Sequence, residues 1–142
     1  MSQVSGSFQQ TGYSRRTLPI LSIKFTVQRP IGKDVEFNDE FWVDSGFTGD
    51  LKMSQSFGSR LKGMGITAIK ELIQVASGNT IAENLSATIQ EILLNGTNLL
   101  PTPKPCLITC MGENRTAKLV GLNALNQWTV CLDMPNEVLT IS

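Results

Sequence analysis

The 142-residue chain contains no histidine, and this absence removes more chemistry than any residue present adds. Ser-His-Asp triads, Cys-His pairs and histidine-ligated zinc sites all need an imidazole and are excluded. Cysteine is scarce and odd in number, at Cys106, Cys110 and Cys131. The Cys106-x-x-x-Cys110 spacing has no fourth ligand, so the three read as reduced packing residues, and neither metal nor cofactor is expected. Neither sign of charge is in excess, with 12 basic and 12 acidic residues. No broad basic field therefore exists to hold nucleic acid or an anionic membrane. Long apolar runs are missing too. Met1 to Gln10 is polar, unlike a secretory signal or a membrane helix, which makes a cytoplasmic protein the expectation. The sequons at Asn84, Asn95 and Asn114 then read as chance matches. Trp42 and Trp128 lie in or beside strand-like runs and suit a core or an interface.

A hydrophobic content of 41% suits one globular domain with its own core. Residues 1–17 are rich in Ser, Gln and Gly and read as a flexible N-terminal tail, leaving a domain over residues 18–142. Leu21 to Val27 alternates apolar and polar residues as a half-buried strand does, and Val35 to Val43 reads as the next strand. Ser54 can cap a short helix with Phe57 and Leu61 on one face, ended by Gly63 or Gly65. Strand-like runs from Ile69 to Val75 and from Thr80 to Ile92 flank Ala76-Ser77-Gly78-Asn79, which suggests a hairpin. Asn95-Gly96 is a stronger hairpin signal, because both residues tolerate positive φ. Lys118 to Asn126 runs from a strand through Gly121 into one or two helical turns. Trp128 to Leu132 and Val138 to Ile141 then form a final strand pair around Asp133-Met134-Pro135-Asn136. The apolar Val138 to Ile141 reads as an edge strand that needs cover, such as a partner's terminus.

Between these elements lies Val43-Asp44-Ser45-Gly46-Phe47-Thr48-Gly49, a carboxylate set against a small hydroxyl and a glycine directly after an apolar strand. An Asp-Ser/Thr-Gly triplet occurs by chance in roughly one chain in fifteen of this length, so its setting matters more than its presence. With Leu119-Val120-Gly121 late in the chain and the Ala76 to Asn79 hairpin between, the sequence resembles the retropepsin-type aspartic proteases, from about Leu18 to Ile141. That family more often has Thr where Ser45 stands and often has Asp where Asn123 stands.

The resemblance implies a mostly β fold, a closed acid-protease barrel with one or two short helices. It also implies a homodimeric aspartic endopeptidase acting on peptides or unfolded protein segments. Such hydrolysis uses a water held between two carboxylates that share a proton, because like charges so close cannot both ionise. Only one such aspartate is present, so the dyad would be Asp44 from each subunit of a two-fold dimer. Ser45 would hydrogen-bond across the axis, and Gly46 would admit close backbone approach and donate its N–H to Asp44. Ala76, Ser77, Gly78 and Asn79 would form a flap over the substrate. Thr48 would pin the loop, with Leu119, Val120 and Gly121 supporting it. Asp34, Asp39, Asp50 and Asp133 are expected in turns or on the surface. The alternative is a catalytically silent dimerisation or peptide-binding module on the same fold.

Overall fold

The computed structural model describes residues 3–12, 14–113 and 117–142; Met1, Ser2, Tyr13 and the Asn114 sequon lie outside them. The strands are β1 (Val4–Ser7), β2 (Gln9–Gln10), β3 (Thr17–Leu18), β4 (Ile20–Val27), β5 (Val35–Val43) and β6 (Leu51–Met53). The helix α1 (Gln55–Gly63) follows, then β7 (Ile69–Val75), β8 (Gly78–Leu94), β9 (Thr97–Asn98) and β10 (Lys104–Cys110). The last are β11 (Leu119–Val120), β12 (Val130–Asp133) and β13 (Val138–Ile141).

In β4, every second residue, Leu21, Ile23, Phe25 and Val27, is buried. This is the two-residue period of a strand with one face in a core. Neighbours run β10-β6-β11-β5-β4-β8, and β10 pairs again with β8, closing a six-stranded acid-protease-like barrel. Closure leaves no free edge within that ring. Two of its pairings are parallel, β11 with β5 and β10 with β6. Phe25, Phe41, Leu51, Leu85, Ile89 and Ile108 fill its interior. Among the described residues, no helix is long and apolar enough to cross a membrane.

The Ser54 cap forms: its Oγ accepts from the Phe57 N–H, and Gly65 takes φ +86° just past the helix end. The Asn95-Gly96 turn joins β8 to β9 with φ of 50° and 76°, the positive pair that a tight hairpin demands. The Ala76 to Asn79 tip is tighter than expected. Val75 already pairs with Gly78, so Ala76 and Ser77 make the turn while Gly78, at φ +124°, and Asn79 belong to β8.

Three expectations are corrected. The first concerns the late helix, since residues 122–127 form successive turns instead, with Trp128 N–H donating to the Leu125 carbonyl. Lys104 Nζ fastens these turns from outside, donating to the Asn123 and Ala124 carbonyls and to Asn126 Oδ1 at 3.0 to 3.1 Å, where a helix would use the carbonyls for its own N–H groups. The second concerns the N-terminal segment. Instead of lying apart, β1 pairs with β13, β2 pairs with β3, and Phe8 is buried. Gly6 permits this docking, since a Cβ there would stand 2.7 Å from Leu94 Cδ1. The third follows directly. β13 is the centre of the sheet β1-β13-β12 rather than an edge, so its backbone is already paired on both sides.

Candidate active site

β5 delivers Asp44 to the bend after Val43, and β11 holds it there: the Asp44 N–H donates to the Val120 carbonyl at 3.1 Å. The loop then turns back on itself, with the Phe47 N–H donating to the Asp44 carbonyl at 3.1 Å. Gly46 donates its N–H to Asp44 Oδ1 at 2.8 Å. A Cβ at Gly46 would lie 3.2 Å from that oxygen. One carboxylate oxygen is therefore oriented by the backbone.

The late motif supports this loop by main-chain contact. The N–H groups of Gly121, Leu122 and Asn123 donate to the carbonyls of Asp50, Phe47 and Gly49, at 2.8, 3.0 and 3.2 Å. Glycine is required at 121 because a Cβ would stand 2.3 Å from the Gly49 oxygen and 2.6 Å from the Phe47 oxygen. Thr48 does not supply the expected clasp. It is exposed, and among the described residues its side chain makes no hydrogen bond; these three backbone bonds pin the loop instead. Ser45 is likewise exposed.

Sequence reasoning missed the role of Asp50, which is buried at 7% exposure rather than at the surface. Its Oδ1 accepts from Asn123 Nδ2 at 2.7 Å, and its Oδ2 accepts from the Leu107 N–H at 2.9 Å. Asp50 thus fastens the loop to the turns after Gly121 and to β10. The same contact gives Asn123 its reason, because a carboxylate there would face the Asp50 carboxylate. Lys52 on β6 was missed as well. Burial pushes its ammonium below the usual lysine range, while the charge of Asp44 acts in the opposite sense. No local pattern in the sequence marks Asp50, since its partners come from distant segments.

Asp44 and Ser45 share a cleft of about 370 Å³ with Val43, Val120, Gly121, Leu122, Leu125, Asn126, Trp128, Val130 and Leu132. Its lining is mostly aliphatic, and Asp44 is the one acidic group in its wall. Leu119 lies just behind, paired with Trp42 and Lys52. The structure therefore unites Asp44, Ser45, Val120 and Gly121, with Gly46 adjoining, whereas Ala76 to Asn79 contribute nothing to this wall. The β7–β8 hairpin instead holds Leu72 directly opposite Ile81, at 68% and 61% exposure. Among the described residues, no group of three or more His, Cys, Asp or Glu side chains could hold a metal ion.

Among solved structures, the chain is similar to a retropepsin-like aspartic protease from Rickettsia conorii. The match has a TM-score of 0.54 at 14% identity and covers 99% of this chain and 89% of that one. The similarity is one of fold, the retropepsin-like barrel. No family model matches the chain, and no curated protein matches its sequence.

Proposed function

We propose that this protein is an aspartic endopeptidase that works as a homodimer, with Asp44 from each copy forming the dyad. The observation that carries the reading is the Asp44 loop itself. A carboxylate is oriented by the Gly46 N–H, flanked by an exposed Ser45 hydroxyl, and set at the rim of an apolar cleft on a retropepsin-like barrel. Two such carboxylates share one proton. The ionised one takes a proton from the attacking water, and the protonated one hydrogen-bonds the scissile carbonyl as the tetrahedral intermediate forms. Proton return to the amine nitrogen then breaks the C–N bond. Ser45 spans the axis and keeps the two loops in register. The β7–β8 hairpin covers an extended peptide, with Ala76 and Ser77 at its turn, Gly78 and Asn79 just past it, and Leu72 and Ile81 as apolar contacts.

The test is cleavage of a denatured protein by the purified full chain across pH 3 to 8. Activity with an acidic optimum, lost in Asp44→Asn while the sedimentation behaviour is unchanged, is the expected result. Undiminished cleavage by that variant would refute the catalytic assignment. A dimer without any activity would leave the silent binding module as the function.

A further inference from the structure

We infer that the two-fold partner docks on the free edge of β12, Val130 facing Leu132 of the second copy, so that the three-stranded sheets of two chains join into one. The inference rests on the Asp44 dyad proposed above and specifies the surface that assembles it.

The pairing pattern shows which backbone groups are available. Thr129 and Ser142 exchange both hydrogen bonds, at 2.8 and 3.0 Å. In an antiparallel ladder such pairs alternate with pairs that make none. Cys131 therefore bonds across to Thr140, whereas the N–H and C=O groups of Val130 and Leu132 point away from β13 to an edge with no partner among the described strands. Unpaired edges of this kind invite another strand. β13 cannot serve, because it is paired on both sides. β1 is the other free edge of this sheet, but its residues lie outside the Asp44 cleft, whereas Val130 and Leu132 line it. Whatever adds to β12 therefore also covers the half-buried cleft.

The occupant is a second copy for two reasons. A lone Asp44 needs a second carboxylate, which only another copy brings. The chain also carries no net charge, and Asp44 is the one charged side chain in the cleft wall, so self-association meets no general repulsion.

Symmetry then fixes the register. Val130 and Leu132 face the barrel beside the buried Leu139 and Ile141, while Cys131 is exposed on the opposite face. A two-fold axis perpendicular to the sheet keeps like faces together, so the axis passes through a residue rather than between two. The outward-pointing bonds of Val130 and Leu132 impose the same rule independently. An axis at Leu132 would set Val130 opposite Met134, in the turn after β12, and an axis at Val130 would set Leu132 opposite Trp128, outside the strand. An axis at Cys131 pairs Val130 with Leu132 in both directions and uses every outward group of both residues. Both Asp44 loops then lie on the same side of the joint sheet, the side that Val130 and Leu132 face. Cys131 meets its counterpart as a non-hydrogen-bonded pair with Cα atoms about 4.5 Å apart, within disulfide reach.

The test is disulfide trapping of the full-length chain with oxidised glutathione, read on non-reducing gels with peptide mapping, beside sedimentation equilibrium. The expected product is a Cys131–Cys131 dimer that Cys131→Ser does not form. Cys131→Arg, which sets two like charges on the axis, should weaken dimerisation at least tenfold while leaving the circular dichroism of the monomer intact. A strictly monomeric chain, a dimer indifferent to Cys131→Arg, or equal trapping through Ser5→Cys in a Cys131→Ser background would overturn the inference. Its failure is distinguishable from failure of the protease reading. A Cys131-linked dimer that cleaves nothing refutes only the activity, and a cleaving dimer that Cys131 never links refutes only this interface.

Discussion

At Gly121 the chain leaves no space for a single methyl group, because two backbone carbonyl oxygens occupy the place where it would go. Backbone cannot swing aside as a flexible side chain can, so Gly121→Ala should cost at least the about 1 to 3 kcal/mol typical of overpacking. Thermal unfolding checks this, and a wild-type midpoint would contradict the packing. Asp50 poses the converse problem. Asp50→Ala removes the acceptor of two part-buried hydrogen bonds, from the Leu107 N–H and the Asn123 amide, and the loss should be about 2 kcal/mol. Urea denaturation reads that loss. In the proteolysis assay of the proposed function, the same variant should lower kcat more than it changes KM, since Asp50 holds the loop from outside the cleft wall. Neither role could be read locally. The Asp-Ser-Gly motif announced Asp44, but the importance of Asp50 depends on Asn123 and Leu107, which only the folded chain brings to it.

Elements whose signals were local were legible from sequence. The alternation in β4, the Ser54 cap and the Asn95-Gly96 turn each depend on neighbours within a few residues, and each formed. Elements whose conformation is decided by distant groups were not. Residues 122–127 carry a helical pattern, yet Lys104 draws their carbonyls into a different set of bonds. Lys104→Met should therefore loosen this segment, destabilising the fold by about 1 kcal/mol. Hydrogen exchange should show faster exchange at Asn126 and Trp128 than in the barrel strands, and unchanged protection there would exclude the role given to Lys104. β1 was missed for a related reason. Val4-Ser5-Gly6-Ser7 has little apolar content of its own, and its value lies in the small Gly6 fitting over Leu94.

For the whole molecule, the thiols link burial to pH. Burial is the main cause that pushes Cys106 and Cys110 up to about 12, each from an ordinary 9.0. The fold therefore favours their neutral form. That contribution is fully present below pH 9, the unfolded value, and is lost as pH rises toward 12. Lys52 works in the opposite direction, because burial holds its ammonium below 10.5 and raising the pH relieves it. The Cys106→Ala/Cys110→Ala variant isolates the thiols: between pH 9 and 11 it should lose less stability than the wild type, measured as the change in unfolding midpoint. At pH 8 a chromogenic disulfide reagent should modify Cys131 quickly and the other two only after unfolding. Fast reaction of all three would contradict the burial.

The sheet β1-β13-β12 also bears on the order in which the fold assembles. Val4 has as its strand partner Ile141, far along the chain. Until β13 is in place, β1 has nothing to pair with. The barrel strands β4 and β5, neighbours in sequence, can meet early, but the sheet that carries the proposed partner-binding edge must wait for that long-range pairing. Dimerisation through that edge would then follow folding of the barrel, so no half-folded copy could contribute to a working pair of Asp44 carboxylates.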